Sequence, residues 1–184
     1  MNPSWTLSAV EAFAEAAHSG QVRNASDGVA PEVPYIVHPR AVRDVLLREH
    51  PDAAMRAPWL LATALLHDVL EDCAVHPDEV TALCDGNVCA AVRALSKELR
   101  MVPGAVKTDK QYWTVLAQSP LPIRQVKAAD RIDNLRSCLR WPRPKLTEKY
   151  LVETPSKLMP LVVEDEFLYV TLAELLAQLR RKMA

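Results

Sequence analysis

The stretch ATALLHDVLEDC, Ala62 to Cys73, constrains this chain more than any other part of it. It opens as a helix made for a core: Leu60, Leu61, Ala64, Leu65 and Val69 are apolar, and no Pro or Gly interrupts them. Into that helix His67-Asp68 and Glu71-Asp72 bring an imidazole and three carboxylates. At ~100° per residue, positions 67, 68, 71 and 72 fall within an arc of ~140°. His67 then lies over Glu71, and Asp68 over Asp72, each at i, i+4. Carboxylates this close repel one another. Acidic groups near a helix C-terminus also oppose the macrodipole, and no Lys or Arg in the helix compensates. Either the arc is the solvent face of an amphipathic helix, or a cation sits among the carboxylates. The second reading explains the charge density.

The rest of the chain reads as helical. Ser4 or Ser8 can cap a first helix carrying Val10, Phe13, Ala14 and Ala17, up to Gly20. Asn24 to Pro34 reads as a loop, with Asp27-Gly28 and two prolines. Pro39 marks a helix start, with Val42, Val45 and Leu46 on one face, and Pro58 opens the helix of the quoted stretch. Further helices are expected from His76-Pro77, from about Val88 to Leu99, and from Thr108 to Ala117. Others should run from Pro120 through Leu139, over Leu146–Thr154 and over Val163–Met183. Only Tyr35-Ile36-Val37 looks extended. The four glycines form neither G-x-G-x-x-G nor a P-loop. The expectation is an all-α fold, a single helical bundle spanning residues 1–184.

A net charge of −1 argues against nucleic-acid or membrane-surface binding by bulk electrostatics. The distribution is uneven: Arg93 to Lys149 holds thirteen Lys/Arg against five Asp/Glu, and the remainder nine against eighteen. Solvated helix faces account for most of this, although a basic half opposite an acidic helix end also suits an anionic, metal-binding ligand. The N-terminus lacks a basic segment followed by an apolar run. No window approaches ~18 apolar residues. Cys73, Cys84, Cys89 and Cys138 form no C-x-x-C pair. Reduced thiols in a cytoplasmic protein are expected.

Two other segments offer ligands. His38 stands immediately before Pro39 at a helix start, where rigid backbone holds it. Asp130 lies mid-helix on the face of Ile123, Val126 and Lys127, where a carboxylate needs a partner. A surface histidine, and an ion pair from Asp130 to Lys127 or Arg131, are the bland alternatives. Taken together, two imidazoles and two carboxylates suit Mn2+, Fe2+ or Zn2+, and the cysteine spacing excludes a thiolate site.

With these residues in view, the order H…HD…D resembles the HD superfamily of metal-dependent phosphohydrolases. The words AFAEAAHSGQVR, PYIVHP, ALLHDVLED, ALSK and VKAADRIDNLR, in this order from Leu7 to Lys157, are similar to the hydrolase domain of the RelA/SpoT family. The chain stops short of that family's synthetase and regulatory domains, so a stand-alone small alarmone hydrolase is expected. The resemblance implies a single HD domain that removes the 3′-pyrophosphate of ppGpp and pppGpp with Mn2+. It implies His38, His67, Asp68 and Asp130 as metal ligands, and Glu71 and Asp72 as the pair that orients and activates water. Arg23 and Asn134 would hold the ribose or phosphate region. Lys97, Lys127 and Arg131 would face the phosphates, and His18 would brace the Arg23 loop. A small-molecule nucleotide is the expected partner, with no nucleic acid or membrane; a homo-oligomer has no specific support. Asn24 stands where the family often has Lys. Asp133 stands where it often has His or Tyr, with modest consequences expected. Two alternatives stay open: an HD phosphohydrolase acting on NADPH or another nucleotide phosphate ester, and a non-catalytic alarmone-binding regulator.

Overall fold

A computed structural model describes residues 4–23, 32–51 and 57–183. Helix α1, Leu7–Ala17, is capped by Thr6, whose hydroxyl accepts from the Ala9 N–H at 3.2 Å. Neither serine caps it; Ser8 instead shares a hydrogen bond with the Thr6 hydroxyl. Two short antiparallel strands follow, β1 (Val22–Arg23) and β2 (Val33–Pro34), with Arg23 opposite Val33. The expected loop therefore closes as a small hairpin; Asn24 to Pro31 lie outside the described residues. The expected extended run at Tyr35 is instead a turn, because the His38 N–H bonds back to the Tyr35 carbonyl at 2.9 Å. That turn launches α2, Val37–Glu49, with Pro39 in its first turn.

Helix α3 runs Pro58–Leu66, and a separate short helix α4 covers Val69–Asp72. The sequence predicts one continuous helix here. The break falls at His67-Asp68, where the His67 Nδ1 donates to the Ala64 carbonyl at 2.8 Å. That carbonyl is the one a continuing helix would offer to the Asp68 N–H. Next come α5 (Pro77–Leu83), started by a His76 capping box, and α6 (Gly86–Leu95). The Asp85 carboxylate accepts two N–H groups at the start of α6, which begins before Val88 for that reason. Ser96 then turns the chain out of the helix, well short of Leu99. Thr108 and Gln111 form a capping box for α7, Asp109–Gln118.

The long α8, Leu121–Arg140, runs through the interior. Helix α9, Pro144–Glu153, passes through a π turn (Thr154–Leu158) and a 3₁₀ turn (Met159–Leu161) before α10, Glu166–Met183. The architecture is all-α, as the periodicity predicts. One core forms where α8 meets α2 and α10, with Val42, Leu46, Val126, Ile132, Leu168 and Leu172 buried together. A second joins α1, α5 and α6 through Val10, Ala14, Val80, Val88 and Val92. Helix α3 is the shared wall: Leu60, Leu61 and Ala64 face the first core, and Ala62, Leu65 and Leu66 the second. Every residue from Leu60 to Leu66 is buried, as for a helix apolar all round. Each such leucine contributes about 1.5–3 kcal/mol by leaving water. The end of α3 is thereby fixed in position, and the acidic stretch begins there. All four cysteines are buried free thiols.

Candidate active site

His67 ends α3, and its Nδ1–H is committed to Ala64, so Nε2 points away with a free lone pair. His38, in the first turn of α2, donates Nδ1–H to the Asp133 carboxylate at 2.8 Å. Its Nε2 therefore also points inward, and the two Nε2 atoms lie 3.2 Å apart. Asp68 Oδ2 lies 3.0 Å from His67 Nε2 and 3.6 Å from His38 Nε2. From α8, Asp130 Oδ1 comes within 3.2 Å of His38 Nε2 and 3.9 Å of His67 Nε2. One ligand atom each from His38, His67 and Asp68 all lie within 4.8 Å of one another.

Two carboxylates crowd two imidazole nitrogens here, an excess of negative charge, and the donor set fits a divalent cation of intermediate character. The same excess of negative charge acts on His67: burial would lower its pKa, yet Asp68 beside it and Asp130 push it up to about 9. Burial would raise Asp68, but the His67 and His38 imidazoles hold it below the ordinary carboxylate range. Asp130 behaves likewise, because the Lys127 ammonium lies 2.8 Å from its Oδ2 and overcomes the effect of burial.

Glu71 and Asp72 are held the other way. Burial, with the Asp68 charge nearby, raises both. The Glu71 carboxylate accepts the Lys97 backbone N–H at 2.6 Å, and Asp72 accepts the Tyr35 hydroxyl at 3.2 Å. Four neighbouring acids are thus split into an ionised pair and a more basic pair, a separation that assigns different tasks to like groups.

The structure also shows what the remaining expected residues touch. Arg23 donates to Asp133 Oδ2 at 2.7 Å and Asn134 Oδ1 at 3.0 Å. Asn134 in turn donates to Asp130. Lys97 Nζ is paired with Asp109 at 3.0 Å at the rim. Lys127 serves Asp130, and Arg131 bonds Thr154 while its guanidinium stacks 4.0 Å over the Tyr150 ring. Asp68, Glu71 and Asp130 nevertheless share a cavity of about 260 Å3 with Lys97, Lys127 and Arg131. The lining thus mixes carboxylates with cationic side chains. His18 stacks on Tyr35, ring centroids 4.6 Å apart, and bonds Gln21, so it braces the hairpin as expected.

Two residues were missed. Tyr35 donates its hydroxyl to Asp68 Oδ2 at 2.7 Å as well as to Asp72. Burial and both carboxylates hold its phenol far above the ordinary range, so it stays a donor. A Tyr three residues ahead of His38 was the available signal. Asp133 matters more than its unusual identity suggested: it sets the His38 tautomer and anchors Arg23. Tyr112, Trp113, Lys149 and Tyr150 also line the cavity without having been anticipated.

The chain is similar to the guanosine-3′,5′-bis(diphosphate) 3′-pyrophosphohydrolase of Vibrio cholerae, 30% identical over 125 residues, which are 66% of this chain and 16% of that protein. It is also similar to the Drosophila melanogaster guanosine-3′,5′-bis(diphosphate) 3′-pyrophosphohydrolase MESH1, 31% identical over 107 residues, 57% of this chain and 56% of that one. The chain thus spans about half of the fly protein and a small part of the bacterial one. Among solved structures, a metazoan orthologue of SpoT that hydrolyses ppGpp superposes with a TM-score of 0.74 over 97% of both chains, at 24% identity, and shares the fold. No family model matches. The resemblance first read in the five sequence words thus extends to named relatives and to the fold.

Proposed function

We propose that this relative of the guanosine 3′-pyrophosphohydrolases is itself such an enzyme, hydrolysing the 3′-pyrophosphate of ppGpp and pppGpp to GDP or GTP and pyrophosphate. One observation carries the reading: His38, His67, Asp68 and Asp130 converge, and all but His67 line, with Glu71, a cavity that Lys97, Lys127 and Arg131 also line. Those four residues would hold a divalent ion, which we read as Mn2+. When bound it would lower the pKa of a water from 15.7 toward roughly 7 and polarise a phosphoryl oxygen.

The chain's own groups supply the rest. In the hydrolysis a bond forms from the water oxygen to the phosphorus on O3′, the bond from that phosphorus to O3′ breaks, and O3′ takes up a proton, so that the one the water loses to Glu71 is made good. Glu71, made more basic by burial and neighbouring charge, takes the water's proton. Asp72, held by Tyr35, orients the water or Glu71. Lys97 and the other cationic side chains of the cavity face the charge that spreads over the phosphoryl oxygens. Lys127 and Arg131 act through Asp130 and Tyr150, and Arg23 and Asn134 frame the ribose side. We read residues 1–184 as one HD domain, supported by the wall that α3 gives to both cores. No helix among the described residues is long and apolar enough to cross a membrane. We read the compartment as the cytoplasm, supported by the four free thiols.

The test is product analysis with ppGpp, pppGpp, NADPH and a nucleoside monophosphate, each with Mn2+ and with EDTA, and with Glu71→Gln as control. GDP plus pyrophosphate, lost with EDTA and in the variant, is the expected result. Inorganic phosphate from NADPH or the monophosphate, with ppGpp untouched, would overturn the substrate. Binding of ppGpp without turnover would overturn the enzyme.

A further inference from the structure

The opposite end of α2 carries a second cluster of potential ligands. Glu49 is the last residue of that helix and His50 follows it; Asp165 immediately precedes α10. One ligand atom from each lies within 4.8 Å of the others. His50 Nε2 is 3.5 Å from Glu49 Oε1. Gln125, on α8, reaches both remaining members, its amide nitrogen 3.3 Å from His50 Nε2 and 2.8 Å from Asp165 Oδ2. Three elements distant in sequence thus direct polar atoms at one point.

Burial makes the cluster more than an acidic patch. The Glu49 side chain is only 9% exposed, and its Oε2 is buried with no hydrogen-bond partner. Asp165 is 6% exposed. Among the described residues no Lys or Arg forms an ion pair with either carboxylate; Arg124, on the adjacent turn of α8, is engaged by the Leu161 carbonyl and Glu164. Glu49 also stands at a helix C-terminus, where the macrodipole opposes a carboxylate. Two buried carboxylates abutting without a cation are costly. A proton shared between Glu49 and Asp165 is the competing occupant of this contact.

We propose that Glu49, His50 and Asp165 form a second divalent-cation site, structural rather than catalytic, that ties the start of α10 to α2 and α8. Two carboxylates and one imidazole suit Zn2+ or Mn2+. The His50 side chain is 42% exposed, so the ion has a route from solvent. An ion bound by residues from separate elements stabilises the folded chain in proportion to its occupancy. The site is independent of the proposed hydrolysis: His38 and Glu49 stand at opposite ends of α2, about 16 Å apart at ~1.5 Å per residue.

The experiment uses the full chain stripped with EDTA and titrated separately with Mn2+ and Zn2+, reading bound metal by elemental analysis and Tm by calorimetry. Wild type should bind two equivalents and Glu49→Gln, nearly isosteric, one. An Asp68→Asn chain, weakened at the other cluster, should keep a metal-dependent rise in Tm that disappears when Glu49→Gln is added. One equivalent in wild type that Glu49→Gln does not reduce would overturn the proposal. So would an Asp68→Asn chain whose Tm ignores both metals. A third overturning result is a Glu49→Gln chain with unchanged metal content and a higher metal-free Tm, which would identify a shared proton as the native occupant. ppGpp turnover enters none of these readouts, so failure of the hydrolase reading leaves the result legible.

Discussion

Helix α2 presents His38 at its first turn and Glu49-His50 at its last, and each end meets carboxylates delivered by other helices. Their surroundings differ in one respect. At the first end every carboxylate has a fixed donor or cation: Lys127 on Asp130, Arg23 on Asp133, Tyr35 on Asp68 and Asp72. Asp68 and Asp130, the carboxylates proposed as ligands, are therefore held ionised and oriented, which is what preorganisation requires. At the other end the described residues supply two neutral donors, the Gln125 amide and the Leu168 N–H, and no Lys or Arg, and Glu49 is pushed up to about 9 instead. The same residue types can form a reactive centre or a clamp. The cationic partners around the carboxylates decide which.

The comparison can be broken most directly at the first end. His67→Ala should lower ppGpp turnover by at least about 10³-fold, since the metal's contribution to the transition state is several kcal/mol. The metal-dependent Tm rise assigned to the second cluster should persist. Loss of both would mean the two ends are not independent. Glu71→Gln should cost about 10²–10⁴ in kcat while leaving bound metal unchanged. If metal leaves with the activity, Glu71 is a ligand and not the base.

Asp133→Ala sharpens the same contrast, because it frees His38 Nδ1 and Arg23 without touching the inward-facing atoms. Metal affinity should fall roughly 10–100-fold, measured by competition with a chelating dye. Unchanged affinity would show that the His38 orientation comes from Pro39 and packing alone. Tyr35→Phe removes one hydroxyl shared by two half-buried carboxylates and should lower stability by about 1 kcal/mol, read from denaturant midpoints. No loss would mean water replaces the phenol.

The smallest effect concerns pH. In metal-free protein Glu49 binds its proton more tightly folded than unfolded, with a pKa raised from 4.5 to about 9. Its stabilising contribution is therefore full below about 4.5 and is lost as pH rises toward 9. The difference in Tm between wild type and Glu49→Gln should shift against wild type across that window. A flat difference would show that the second end carries no strained carboxyl.

Much of this was legible in the sequence, for reasons that are local. Apolar periodicity, Pro58 at a helix start, the Thr108 cap and the proline-bounded start of α8 all act within a few residues, so the all-α course followed. The acid density at His67 to Asp72 is equally local, and it marks a group of side chains that could hold a cation. Spatial facts decided the remainder. The break between α3 and α4 depends on which way the His67 ring turns, and that turn is set by Ala64 behind it and the cluster in front. Charge alone does not reveal a partner: Lys127 bonds Asp130 and Arg131 stacks on Tyr150, while both still line the cavity. Glu49 and Asp165 stand more than a hundred residues apart. Nothing in either segment announces the other, and only the packing of α10 against α8 and α2 brings two carboxylates together, because electrostatic strain belongs to distances in space.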